Sequence, residues 1–77
     1  MSDLSTQIVS DGKVAIVSIN RPKKFNALSW DTFAQLKNEI EKMGKPGSEV
    51  RCIILNGTGK HFTAGLDLTS VMDLQKI

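Results

Sequence analysis

The sequence predicts an α/β chain: a β-hairpin, an amphipathic helix, a buried strand and the start of a further helix. Three observations carry that prediction. β-rich runs flank Asp11-Gly12, apolar residues recur at helical spacing after Ser29, and Cys52-Ile53-Ile54-Leu55 is an unbroken apolar run beyond that helix.

Gln7-Ile8-Val9-Ser10 reads as the first strand, and Asp11-Gly12 is a strong hairpin signal. Residues 14–20, rich in β-branched side chains, form its partner. Arg21-Pro22 ends that strand, because proline brings no donor and restricts the residue before it. The loop 21–28 carries the cations Arg21, Lys23 and Lys24 beside Phe25 and Asn26. Ser29 reads as an N-cap, with Asp31 favourably placed in the first turn. Trp30, Phe33, Leu36, Ile40 and Met43 recur as one face expected to be buried, opposite Gln35, Asn38, Glu39 and Lys42. Gly44 is a natural C′ residue, and Pro46-Gly47 closes the loop.

Residues 50–56 suit a central strand covered on both faces. Strand, helix, strand in that order implies a parallel βαβ unit with a right-handed crossover. After Gly65, the pattern Leu66, Leu68, Val71, Met72 and Leu74 starts another helix. The crossover helix covers only one face of the 50–56 strand, and strand edges stay open. Residues 1–77 are therefore expected to be the amino-terminal fragment of a single larger domain.

Composition narrows the class. With 40% hydrophobic and 23% charged residues, the chain reads as ordinary globular protein, and nothing approaches the apolar length of a membrane span. A net charge of +2 and scattered basic residues leave no stripe for nucleic acid. The single cysteine, Cys52, excludes an internal disulfide and fits a reducing compartment, and its apolar surroundings predict a packed thiol. Residues 1–10 look like neither a signal nor a transit peptide, so secretion is not expected. Leu74-Gln75-Lys76-Ile77 matches no common address, which leaves cytoplasm, peroxisome and mitochondrion open.

The turn after the apolar strand carries the chemistry. Gly57-Thr58-Gly59-Lys60 fails as a phosphate loop, because Ile54 stands where the first glycine belongs and His61 where Ser or Thr belongs. It fails as a dinucleotide fingerprint because Phe62 replaces the third glycine. What remains is a glycine-rich edge whose exposed N–H groups suit a developing oxyanion. From spacing alone a flexible strand-to-helix connection is the favoured reading. His61, the sole histidine, makes no metal site or triad without partners and reads as a surface loop residue.

Asn20-Arg21-Pro22-Lys23-Lys24-Phe25-Asn26-Ala27-Leu28, then the helix, the apolar strand and Phe62-Thr63-Ala64-Gly65-Leu66-Asp67-Leu68, come in one order. That order resembles the amino-terminal part of the enoyl-CoA hydratase/isomerase (crotonase) family, from about residue 8 to about residue 72. The last segment is most similar to the dienoyl-CoA isomerase branch. The resemblance implies the first part of a crotonase-like ββα spiral and an acyl-CoA thioester as substrate, with no metal or other cofactor required. It implies that the Leu66 backbone N–H is one of two oxyanion-hole donors, and that Gly65 lets the backbone approach the ligand. It further implies that Ala64 meets the adenine end of coenzyme A and that the loop with Lys23, Lys24 and Phe25 lies near the same molecule. A solvated surface charge is an equal reading of either lysine.

Asp67 could serve as a catalytic acid, but an N-cap for the following helix is the favoured reading. The family's acid and base come from later segments, and no suitable carboxylate pair stands in this sequence. The 77-residue chain by itself is therefore expected to be inactive, and the full-length protein to form trimers or hexamers. The alternative is a non-catalytic, truncated crotonase-like module that binds or assembles through open strand edges. RNA binding is a third class, opposed by the small net charge.

Overall fold

The chain runs β1 (Leu4–Val9), β2 (Val14–Ile19), a 3-10 turn (Pro22–Lys24), α1 (Trp30–Met43) and β3 (Cys52–Gly57). The computed structural model describes residues 3–68, so the helix expected after Gly65 lies, from residue 69 onward, outside the described residues. β1 pairs antiparallel with β2, from Leu4↔Ile19 to Val9↔Val14. The strand thus begins three residues before Gln7, where the consecutive polar residues Ser5 and Thr6 hid it from the apolar pattern. At the hairpin, the Lys13 N–H donates to the Ser10 carbonyl at 3.1 Å. Asp11 and Gly12 hold φ of 58° and 86°, the positive values a primed turn demands.

β3 joins β2 in parallel, from Val14↔Cys52 to Ile19↔Gly57, which is the β-α-β step expected. The sheet order is β1-β2-β3, so β2 and not β3 is the middle strand. Ala15, Val17 and Ile19 alternate along β2 into one buried face, joined by Leu4 and Met43, with Leu28, Leu36 and Val50 packed around them. β3 contributes nothing to this core: Ile53, Ile54 and Leu55 are 37%, 46% and 40% exposed. Cys52 is exposed too, so the packed thiol expected from its neighbours is not found. An apolar run encodes the need for cover, and α1 leans over β1 rather than across β3.

Ser29 caps α1 as expected, with extended backbone and a side chain that accepts the Thr32 N–H at 3.1 Å. The helix ends at Gly44 with a negative φ of −92°, its N–H shared between the Ile40 and Glu41 carbonyls, so this glycine is not the left-handed C′ residue expected. The buried face also differs. Trp30, Phe33 and Ile40 are 42%, 37% and 42% exposed, and Trp30 leans on Phe33 with ring centroids 5.9 Å apart. Polar bonds roll the helix instead. Fully buried Thr32 donates to Asp3 Oδ2 at 2.8 Å, and the Asp3 N–H donates to Gln35 Oε1 at 3.0 Å. Thr32 and Gln35 therefore turn toward β1, and only Leu36 and Met43 of the apolar set reach the core.

Candidate functional site

Two loops leave the same end of the sheet and are clamped together there. Pro22, with its φ preset, starts the 3-10 turn, and Phe25 and Asn26 then take left-handed φ of 55° and 58°. Asparagine tolerates that conformation, and here its side chain exploits it. Asn26 is 1% exposed. Its Oδ1 accepts the Arg21 N–H at 2.8 Å, while Nδ2 donates to the Thr58 carbonyl at 2.9 Å and the His61 carbonyl at 2.6 Å. One buried amide thus joins the loop after β2 to the loop after β3. Gly57 makes the join possible, because a Cβ there would collide with the His61 and Phe62 carbonyls and lie 2.8 Å from Asn26 Nδ2.

Arg21 is the second tie. Its Nη1 donates to the Ala27 carbonyl at 2.6 Å and its Nη2 to Asp67 Oδ2 at 3.2 Å, with Asp3 Oδ2 at 3.9 Å from Nε. Both side chains of the Arg21–Asp67 pair are about one-sixth exposed, at 17% and 16%. Asp67 therefore serves as a partner for Arg21, a role that its place before a helix did not suggest. A cap to that helix concerns residues outside the described ones.

The Leu66 peptide is held from three sides. The Leu28 N–H donates to the Gly65 carbonyl at 2.7 Å, the Asp67 N–H donates to the Leu28 carbonyl at 2.8 Å, and the Gly65 N–H donates to Thr63 Oγ1 at 3.1 Å. In a trans peptide the N–H points opposite to the carbonyl, so with the Gly65 oxygen aimed at Leu28 the Leu66 N–H points away from it. No acceptor meets that N–H among the described residues. Gly65 itself has φ of 97° and no described heavy atom within 4 Å of a built Cβ, so within this chain it is demanded by backbone conformation rather than crowding.

A concavity of about 590 Å³ lies beside this peptide, bordered by Lys23, Lys24, Phe25, Ala64, Leu66 and Asp67, among others. Five of the six residues singled out from the sequence thus line one concavity, and Gly65 is not among its lining residues. Phe25 is 60% exposed and meets the His61 ring edge-on at 5.4 Å. His61 is exposed, as expected of a loop residue. Among the described residues no cluster of three or more His, Cys, Asp or Glu side chains could hold a metal ion. No described helix is long and apolar enough to cross a membrane.

Sequence reasoning passed over Asn26, Arg21 and Thr63 as the residues that build this corner. The available signal was Asn26 itself, a polar residue with left-handed tolerance set between a 3-10 turn and a helix cap. Its two distant carbonyl partners had no signature.

The fold is that of solved enoyl-CoA hydratases of the crotonase type. An enoyl-CoA hydratase/isomerase structure from Pseudoalteromonas atlantica superposes with a TM-score of 0.81 at 31% identity, covering 92% of this chain and 27% of that one. An enoyl-CoA hydratase from Mycobacterium tuberculosis superposes with a TM-score of 0.79 at 27% identity, covering 92% and 31%. The sequence profile of the enoyl-CoA hydratase/isomerase family matches residues 14–77, and the chain belongs to that family. It is 43% identical over 68 residues to a short-chain-enoyl-CoA hydratase of Clostridium acetobutylicum, covering 87% of this chain and 26% of the relative. It is 38% identical over 65 residues to a peroxisomal Δ(3,5)-Δ(2,4)-dienoyl-CoA isomerase of Arabidopsis thaliana, covering 84% and 23%. The chain spans about a quarter of the length of these curated relatives.

Proposed function

We propose that this chain supplies the acyl-CoA-binding wall and one oxyanion donor of an enoyl-CoA hydratase/isomerase. One observation carries the reading: the Leu66 N–H, which meets no acceptor among the described residues, sits beside a concavity bordered by Lys23, Lys24, Phe25 and Ala64. The lysines favour the phosphates of coenzyme A, and Phe25 and Ala64 offer apolar surface to its adenine end. As a carboxylate of the whole protein moves a proton near the acyl chain, negative charge grows on the thioester oxygen. The Leu66 N–H is pre-aimed at that charge, and losing one such donor lowers the rate by about 10²–10³. The reaction as written needs no metal. The stretch from Phe62 to Leu68 favours a dienoyl-CoA isomerase of fatty-acid β-oxidation over a hydratase. The 77-residue chain alone, without the acid/base carboxylates and the second donor, turns over neither substrate.

A chain this short is accessible to total synthesis, so the Leu66 N–H can be replaced by an ester oxygen. Butyryl-CoA labelled with ¹³C at the thioester carbon is bound to both versions, and its carbonyl stretch is read by infrared spectroscopy. The expected result is a lowered frequency with the parent chain and its loss with the ester. An identical frequency in both, or in free ligand, defeats the assignment.

A second reading, a non-catalytic assembly module, draws support from the open, apolar β3. Ligand titration separates the two: saturable binding of butyryl-CoA, whatever the state of association, favours the first reading, and self-association without such binding favours the second.

A further inference from the structure

Thr63 is a half-buried hydroxyl that the donor assignment leaves without a role. Its Oγ1 donates to the Asn26 carbonyl at 2.7 Å and accepts the Gly65 N–H at 3.1 Å. The hydroxyl therefore bridges the two loops at the residue whose carbonyl group forms the Leu66 peptide. The Ala64 N–H, one residue on, donates to the Phe25 carbonyl at 3.0 Å. Without the hydroxyl, the turn keeps only its contacts with Leu28 and Phe25, and the Gly65 N–H is left with no acceptor among the described residues. Gly65 has φ of 97° and no described heavy atom within 4 Å of a Cβ placed there, so the hydrogen bonds to its N–H and carbonyl, rather than side-chain packing, hold this joint.

We infer that Thr63 is a positioning residue for the Leu66 oxyanion donor: its hydroxyl, anchored on the Asn26 carbonyl, holds the N–H side of Gly65 while Leu28 holds its carbonyl, and the two together keep the Leu66 N–H in one direction. The inference rests on the donor reading for its functional meaning but not for its geometry. A donor that must lie about 3 Å from the oxyanion tolerates little misdirection, so loss of the lock acts on carbonyl polarisation more than on ligand capture. Lys23, Lys24 and Phe25 stand in the other loop, which the Thr63 hydroxyl reaches through the Asn26 backbone carbonyl.

The test compares the parent chain with Thr63→Val, which keeps the shape and removes the hydroxyl, and Thr63→Ser, which restores it. Without ligand, residual dipolar couplings report the direction of the Leu66 N–H, and hydrogen exchange reports the Gly65 N–H. Thr63→Val is expected to change the Leu66 coupling and to speed Gly65 exchange about tenfold or more, with couplings in β1 and β2 unchanged; Thr63→Ser returns both. Unchanged couplings and exchange in Thr63→Val overturn the proposal whatever the ligand does. With ¹³C-labelled butyryl-CoA, Thr63→Val is expected to shrink the carbonyl shift by half or more while the dissociation constant moves less than about threefold. Equal loss of affinity and polarisation, without rescue by Thr63→Ser, marks a purely structural residue and also overturns it. Absence of any carbonyl shift in the parent chain defeats the donor reading instead, and the ligand-free couplings still decide the role of Thr63.

Discussion

Replacing Asn26 with alanine removes the clamp between the two loops. Three bonds to its side chain disappear, those from the Arg21 N–H and those to the Thr58 and His61 carbonyls. At about 1 kcal/mol net for each bond, the loss is about 3 kcal/mol. The left-handed φ of 58° adds about 1 kcal/mol for alanine, which lacks asparagine's tolerance of that region. Water that reaches the loosened carbonyls offsets part of this, so Asn26→Ala is expected to be about 3 kcal/mol less stable. A domain of this size holds on the order of 4–12 kcal/mol in total, so the effect is large. Urea unfolding followed by circular dichroism measures it, as a midpoint lowered by about 2–3 M for a slope near 1 kcal/mol/M. A difference within about 0.5 kcal/mol refutes the clamp. Asn26→Asp sharpens the test. It keeps the acceptor for Arg21 but turns a carboxylate oxygen toward two carbonyls, and burial beside them raises the folded-state pKa of the introduced carboxyl above its unfolded value. The neutral acid can still donate, so its stability is fully present below the unfolded pKa, about 3.9, and is lost as pH rises through the folded one. This variant is expected to approach the parent in acid and to diverge from it toward neutrality.

Gly57→Ala forces a methyl group into the His61 and Phe62 carbonyls and is expected to destabilise by about 2 kcal/mol or more, read from the same urea titration. Asp67→Asn breaks the largely covered pair with Arg21; a cost of about 1–2 kcal/mol corresponds to a melting temperature lower by roughly 4–16 °C in calorimetry. Cys52–Gly57 carries no charge and no proline to guard its edge, so the chain is expected to self-associate as concentration rises. Ile54→Lys places a charge on that strand, and sedimentation velocity is expected to find it more monomeric than the parent.

Legibility followed the range of each interaction. The Asp11-Gly12 turn, the Ser29 cap and the end of β2 at Arg21-Pro22 are decided by neighbours in sequence, and each stands where the pattern put it. The apolar runs of α1 and β3 told correctly that helix and strand are there, but not which side chains are covered. Trp30, Phe33 and Ile40 look like a core stripe, yet bonds from Thr32 and Gln35 to Asp3 choose another face. The residues that border the concavity were legible through the family's two motifs, because motif order survives where contacts cannot be read.

By itself the sequence determined the α/β order of elements, the family and the loops that matter, since turn chemistry, periodicity and motif spacing are local properties. Only the tertiary structure decided that β2 is the middle strand, that Asp67 faces Arg21 and that Asn26 and Thr63 bridge the two loops. Those are contacts between residues about 35 to 46 positions apart, as the Asn26–His61 and Arg21–Asp67 bonds illustrate. Hydrogen bonds at that separation depend on where folding brings two loops together, and no local preference of either partner encodes it.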